Sequence, residues 1–155
     1  MNFEIRLALP EDVELLTEMR LEMRRERETV PLSMPETEFR RLTRESFTRL
    51  LNNGTLVSFL AFAGPEAAAC SGMLLQESLP SYGNPSGKTG FILNMYTRPD
   101  WRGNHLAVRL LDALRDHARN LGCARLELNA SPIGRGVYLK YGFSEISGQM
   151  RLELK

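Results

Sequence analysis

The tightest constraint in this sequence is the run from Phe91 to Gly122. Phe91-Ile92-Leu93-Asn94-Met95-Tyr96-Thr97 is mostly apolar with little alternation, as expected of a strand buried on both faces. Pro99 ends it. Arg102-Gly103-Asn104 then forms a turn, and Leu106, Leu110, Leu114, Ala118 and Leu121 define an amphipathic helix closed by Gly122. The first N–H groups of a helix lack intrahelical partners, and the dipole there favours negative charge. Gly103 and Ala107 are small enough to let a diphosphate approach, and Arg102 supplies a cation. On spacing alone, simple chain reversal explains such a turn as well as an anion site does.

The rest of the chain supplies a sheet and helices for this unit. Phe3 to Leu7 alternates apolar and charged residues, a strand with one wet face. Pro10 opens a helix in which Val13, Leu16, Met19 and Met23 follow helical spacing. Arg24-Arg25-Glu26-Arg27-Glu28 is mixed in sign and reads as a solvated helix face. Val30 to Met34 reads as a loop. A second helix starts at Pro35, carries Phe39, Leu42, Phe47 and Leu50 on one face, and ends at Asn52-Asn53-Gly54. Thr55 to Ala63 is a strand, Gly64-Pro65-Glu66 a turn, and Cys70 to Glu77 a partner strand. Pro80 to Gly90 is a loop long enough for a lid or binding loop, or for a mobile connector. Arg125 to Asn129 is a strand, Pro132 to Tyr141 a short helix, and Gly142-Phe143 begins a closing strand region with Met150, Leu152 and Leu154. The order β-α-α-β-β-β-α-β-α-β implies an α/β sheet with helices on both faces. At 155 residues this is one domain spanning 1–155.

Composition narrows the partners. With 20 basic and 19 acidic side chains, no global field attracts nucleic acid or an anionic membrane. Cys70 and Cys123 form no CxxC pattern and read as reduced, buried thiols. His105 and His117 have no ligand-like spacing, so no metal is expected. The start Met1-Asn2-Phe3-Glu4-Ile5-Arg6 is charged where a secretory leader needs an apolar run, so a cytoplasmic location is expected.

Two blocks carry a resemblance. Trp101-Arg102-Gly103-Asn104-His105-Leu106-Ala107-Val108-Arg109-Leu110-Leu111 resembles the acyl-CoA-binding motif of the GCN5-related N-acetyltransferases, Arg/Gln-x-x-Gly-x-Gly/Ala, with Arg102 and Ala107 at its first and last positions. Leu128 to Phe143 resembles that family's later motif, in which a Tyr precedes a Gly-Phe pair. The resemblance covers essentially the whole chain. It departs at His105, where the motif has glycine, and at Ser131 and Gly134, where Asn and Ala are common. A residue at position 105 that needs positive φ carries some strain as histidine.

What the resemblance implies is specific. The fold would be a mixed, mostly antiparallel twisted sheet with helices on both faces and a splayed central strand pair, the strand matching Phe91–Thr97 diverging from that matching Arg125–Asn129. Acetyl-CoA would be the acyl donor. Its diphosphate would lie on Arg102, Gly103, Asn104, His105, Leu106 and Ala107, and its pantetheine would pair with the Thr97 backbone, with Ser131 as a further contact. The Met95 N–H would face the thioester carbonyl and stabilise the oxyanion of a tetrahedral intermediate. Tyr138 would protonate the departing thiolate; without the resemblance it reads as a core aromatic. Glu77 is the nearest candidate for a general base, and otherwise a solvated carboxylate. Asn94 can hold a water but cannot act as a base. Neither cysteine matches a nucleophile position, which favours direct transfer. The acceptor, a small-molecule or peptide amine, would approach between the Val30–Met34 and Pro80–Gly90 loops. The competing reading is a non-catalytic acyl-CoA-binding protein of the same fold. Members of that family are often homodimers, an implication no residue here carries by itself.

Overall fold

A computed structural model describes residues 2–29 and 32–154. One open sheet has the strand order β1-β3-β4-β5-β6: β1 (Glu4–Leu7), β3 (Phe59–Ala63), β4 (Glu66–Glu77), β5 (Lys88–Thr97) and β6 (Arg125–Leu128). The two-residue β2 (Leu56–Val57) also pairs with β4. All pairings are antiparallel except β5–β6, which is parallel. α1 (Val13–Arg27) and α2 (Glu36–Asn52) cover one face; α3 (Leu106–Asn120) covers the other. α4 (Arg135–Tyr141) follows β6 and touches α3. The expected mixed, mostly antiparallel sheet with helices on both faces is therefore present.

The periodic stripes put the core where they predict it. Leu106, Leu110, Leu111, Leu114 and Ala118 of α3 pack on Ala68, Ala69, Met73 and Ile92. Leu16, Met19 and Met23 of α1 join Phe47 of α2 over Leu60 and Cys70 on the opposite face. β4 and β5 are consequently apolar on both sides, which is why their sequences barely alternate. Along α2 the buried residues are Thr43 and Phe47, whereas Leu42 is exposed.

Some boundaries differ from expectation. The strand expected over 55–63 breaks at Ser58, whose carbonyl accepts from the Ala8 N–H. The loop before β5 closes on itself: the Ser78 N–H donates to the Gly87 carbonyl, and the Asn84 amide donates to the Lys88 carbonyl and the Thr89 hydroxyl. Gly87 has φ +69, and a Cβ there would meet the Ser78 carbonyl at 2.2 Å. That loop is thus a built turn and not a lid. The closing strand expected after Phe143 does not form within the described residues, because nothing there pairs with 144–154.

The entry to α1 is fixed by one carboxylate. Buried Asp12 accepts from Arg6 at 2.8 and 2.9 Å and from the Leu9 N–H at 2.7 Å. The Arg6 hydrogen bond and then the Leu9 amide hold its pKa below the ordinary value, against the opposing effect of burial. A depressed folded pKa stabilises fully above the ordinary carboxylate pKa of about 3.9 and loses that contribution as pH falls through the folded value. Asp12→Asn should cost about 1–2 kcal/mol at pH 7 in urea unfolding. The deficit should shrink below pH ~4; a pH-independent deficit would show that packing, not charge, is responsible.

Candidate functional site

The site begins with a bulge. Cys70 pairs with Tyr96 and Gly72 with Leu93, so Asn94 and Met95 on β5 stand opposite Ser71 alone on β4. Asn94 takes up the extra length at φ +58, a left-handed conformation that asparagine tolerates better than most residues. A Cβ on Gly72 would lie 3.1 Å from the Leu93 carbonyl, so glycine lets the two strands close under the bulge. Helix α1 holds the bulge from above. Arg20 donates to Asn94 Oδ1 at 3.1 Å and Arg27 to the Met95 carbonyl at 3.0 Å.

Beyond the bulge β5 loses its second neighbour. The parallel ladder to β6 runs from Thr89↔Arg125 to Ile92↔Leu128 and stops. Leu93 to Thr97 pair only with β4, and β6 turns away toward Ser131 and α4. A cavity of about 530 Å³ fills the opening, with Met95 and Thr97 on one wall and Ser131, Val137 and Tyr138 on the other. Backbone direction alternates along a strand. The Arg98 N–H points to β4, where it donates to the Ala68 carbonyl. The Met95 and Thr97 carbonyls point the other way and accept from Arg27 and Arg102, at 3.0 Å each.

The floor of the opening is the start of α3. Gly103 has φ +83 and His105, the N-cap, has φ 56 and ψ 27. The N–H groups of Gly103, Asn104, His105, Leu106, Ala107 and Val108 make no hydrogen bond to any described residue. No atom lies within 4 Å of where a Gly103 Cβ would be. Six successive amides without a described partner, at the positive end of a 15-residue helix, are chemically suited to an anion. Such a site is backbone-built, because the Arg102 side chain is already engaged by Glu26 at 2.6 and 2.8 Å. Histidine at the motif's glycine position thus adopts the left-handed backbone that glycine would supply.

Tyr138 lines the opening, and its hydroxyl hydrogen-bonds to no described residue. The neighbouring tyrosines differ. Tyr141 donates to Asp112 at 2.8 Å and accepts from Arg115 at 3.0 Å, and Tyr96 donates to Glu26 at 3.3 Å. Burial, then the Asp112 hydrogen bond, push the Tyr141 phenol up to about 12. Burial raises the Tyr138 phenol too, and the charge of Arg27 opposes that rise. Gly134 sits close beneath the ring: a Cβ there would lie 3.1 Å from the Tyr138 ring and 3.2 Å from Ser131 Oγ. Ser131 Oγ accepts from the Gly134 N–H at 3.1 Å, so its acceptor role is to fix the turn into α4.

Several expected residues are therefore together: Met95, Thr97, Arg102, Ala107, Ser131 and Tyr138 line the cavity, next to the amides of 103–108. Glu77 is not among them. It pairs with Lys88 at the far end of the β4–β5 ladder, seven residues and roughly 23 Å along β5 from Met95 at ~3.3 Å per residue. The loop after Glu77 lies at that same end, its Gly83 carbonyl accepting from Arg125. The expectation that the acceptor enters beside that loop is corrected accordingly. Val30, on the other expected acceptor loop, and Pro31 lie outside the described residues. Asn94 is buried, and its side chain is engaged by Arg20 at Oδ1 and by Cys70 at one of its two amide N–H groups. Cys70 is fully buried, and desolvation pushes its thiol up to about 12; burial also raises Cys123.

Glu26 and Arg27 are exposed, as expected of a solvated face, and that face also borders the opening. A signal existed: the buried α1 stripe at 16, 19 and 23 reaches 26 and 27 at its next step. Charges that continue a core stripe mark the point where the helix overruns its core.

Comparison with known proteins follows this geometry. The Acetyltransferase (GNAT) family matches residues 15–143. A predicted acetyltransferase of Clostridium acetobutylicum, solved with acetyl-CoA, superposes with a TM-score of 0.89 at 30% identity, covering 98% of this chain and 96% of that one. A GCN5-related N-acetyltransferase of Ralstonia eutropha JMP134 superposes at 0.87 with 24% identity, covering 98% and 99%. Glucosamine 6-phosphate N-acetyltransferase 1 of Oryza sativa subsp. japonica is 35% identical over 66 residues, which are 43% of this chain and 40% of that protein.

The bulge makes its own prediction. Gly72→Ala forces a methyl group against the Leu93 carbonyl. It should destabilise the fold by about 1–3 kcal/mol in chemical unfolding. An unchanged midpoint would show that β4 and β5 need no close approach there.

Proposed function

The chain belongs to the GNAT acetyltransferase family, and from that premise we propose that it transfers an acetyl group from acetyl-CoA to a primary amine of a small molecule or peptide by direct attack. The observation that carries this reading is the unengaged Tyr138 hydroxyl across the cleft from the open backbone edge at Met95 and Thr97. The residues present fit such a donor. The six free amides at the α3 start suit a diphosphate, and the unzipped edge of β5 suits an amide-bearing arm laid along it like an added strand. Bound acetyl-CoA supplies an acyl group already activated as a thioester.

The chain's own groups then divide the work. The Met95 N–H, on the same side of β5 as its carbonyl, donates to the carbonyl oxygen as negative charge develops on it. As the C–N bond forms and the C–S bond breaks, Tyr138 gives its proton to the departing sulfur, the attacking nitrogen loses its surplus proton to solvent, and solvent returns a proton to Tyr138. A thiolate whose thiol titrates near ~8.5 is a weaker base than a phenolate near ~10, so the proton moves late; burial of Tyr138 widens that difference and the charge of Arg27 partly offsets it. Arg27 pairs the Met95 carbonyl in the following peptide, and Cys70 Sγ donates to the Asn94 carbonyl, which shares its peptide with the Met95 N–H. Buried Cys70, held protonated, is unsuited to an acyl-enzyme route.

Among the described residues no carboxylate in the cleft is free to act as base. Glu26 is the acid there, and Arg102 and Tyr96 occupy it. We therefore assign amine deprotonation to solvent, so that kcat/KM follows the free-amine fraction of the acceptor. The same lack of a base favours the second reading, acyl-CoA binding without catalysis. An amine panel that includes amino sugars, given the amino-sugar substrate named by the rice relative, separates the two. Acetyl-CoA binding without thiol release across the panel would support the second.

Tyr138→Phe should lower kcat by roughly 10²–10⁴-fold and leave the acetyl-CoA Kd nearly unchanged; an unaltered kcat removes Tyr138 from the chemistry. Gly103→Glu puts a carboxylate among the free amides and should abolish acetyl-CoA binding; wild-type affinity by calorimetry would contradict the diphosphate placement. A phenol shifted upward stays protonated as pH rises, so kcat/KM should climb with acceptor deprotonation and not fall before pH ~10. An acidic limb independent of the acceptor's pKa would reveal a protein base.

A further inference from the structure

Helix α1 carries four arginines, and three of them form one stripe. Arg20, Arg24 and Arg27 fall at i, i+4 and i+7, one above another on the same face. The fourth, Arg25, faces α2 and is balanced by Glu36 and Glu18. The opposite flank of α1 carries acids that are also balanced, Glu22 by Arg98 and Glu26 by Arg102. The stripe is not balanced. Arg20 donates to Asn94 Oδ1 and Arg27 to the Met95 carbonyl, both neutral acceptors, and neither has a carboxylate partner among the described residues. Arg24 has Glu28 at 2.6 Å. Three cations therefore share one carboxylate.

That surplus costs stability. Burial lowers the Arg20 pKa, and the charge of Arg24 lowers it further, so the two guanidinium groups repel each other in partly desolvated surroundings. An anion between them would turn the repulsion into attraction. The stripe also stands beside the reacting centre. With a diphosphate at the start of α3, on one face of the sheet, the donor leaves the α1 face to the acceptor. Arg27 lines the cleft with Met95 and Tyr138. Arg24 lines a second cavity of about 500 Å³ between α1 and the start of α2, together with Leu32, Met34 and Phe39. Arg20 lies one turn before Arg24, against the bulge. One row of cations thus joins the place where an amine must attack to a space large enough for the body of a small acceptor.

We propose that the acceptor is an amine that also carries an anionic group, a carboxylate or a phosphate, held by Arg20 and Arg24 while its amine faces the Met95 bulge. The fate of the amine rests on the acetyl-transfer reading; the anion site does not. A guanidinium fork pairs two oxygens at once and suits either anion. The same positive field disfavours an ammonium ion, so an amine beside Arg27 loses its proton more readily, which a cleft without a free carboxylate requires. It also repels polyamines and other acceptors that carry positive charge alone.

Thiol release from acetyl-CoA tests the proposal with amines that share a skeleton. The carboxylate set is γ-aminobutyrate, butylamine and putrescine; the phosphate set is phosphoethanolamine and ethanolamine. Compared per free amine, the anionic member of at least one set should exceed its neutral partner roughly 10-fold in kcat/KM, and putrescine should be the poorest of its set. The set that responds identifies the anion. Arg24→Gln should lower that ratio about 10-fold, whereas Glu28→Gln, which frees Arg24 from its one carboxylate, should raise it. Either substitution breaks the same surface ion pair, so a merely structural role would move both ratios the same way. Neutral or doubly cationic amines used as well as the anionic ones overturn the proposal and leave acetyl transfer standing, as does a ratio that neither substitution moves. If no amine releases thiol, the acetyl-transfer reading fails, and calorimetry of γ-aminobutyrate and phosphoethanolamine on the CoA-loaded protein decides the anion site. Binding that Arg24→Gln abolishes upholds it. No binding, or binding indifferent to Arg24→Gln, overturns it.

Discussion

One surplus residue in β5 is the constraint on which the cleft depends. Opposite Ser71, β5 spends two residues, Asn94 and Met95, and the strand bends where its ladder to β6 ends. The bend removes one neighbour from Leu93–Thr97 while leaving the other intact. That combination is what an opening needs: polar backbone without a partner on one side, and a rigid sheet behind it. The bulge is held from three directions, by Gly72 allowing close approach below, by Cys70 Sγ donating to the Asn94 carbonyl at 3.5 Å, and by Arg20 and Arg27 reaching down from α1. Arg20 is largely buried and makes no carboxylate ion pair among the described residues, and desolvation lowers its pKa. A cation kept there at that cost points to the bulge as the feature being maintained.

The unpaired groups around the cleft are sorted by sign. At its floor, six N–H groups and a helix dipole present positive potential with no described side chain covering them. Along its wall, two carbonyls would repel an anion, and an arginine covers each. Glu26 then ties Arg102 to α1, so the helix that holds the bulge also holds the cation nearest those amides. The affinity expected of the site therefore rests on backbone geometry, with Gly103 and His105 in left-handed conformations aiming the amides.

How much of this was legible in the sequence follows the range of each interaction. The α3 stripe, the buried β4–β5 pair and the turn at Gly103 are local patterns, and they stand where their periodicity places them. Tyr138 and the Met95–Thr97 edge came from a resemblance, and the structure brings them to one cavity. The bulge was invisible, because it exists only in the register between β4 and β5, and a single strand carries no register. Glu77 failed for the same reason: its sequence distance from β5 says nothing about which end of an antiparallel ladder it occupies. Residues 142–154 alternate like a strand, yet none forms there among the described residues, because alternation does not supply a neighbouring strand.

β6 links the two unfinished parts of the sheet. It carries the far wall of the cleft, through Ser131 and on to Tyr138, yet four residue pairs with β5 are its only ladder among the described residues. That wall is joined to the sheet by one short ladder, beside a neighbour that has no second strand past Ile92. The gap between Met95 and Tyr138 is thus bounded on one side by the long β4–β5 ladder and on the other by a four-pair ladder and the turn that Ser131 fixes.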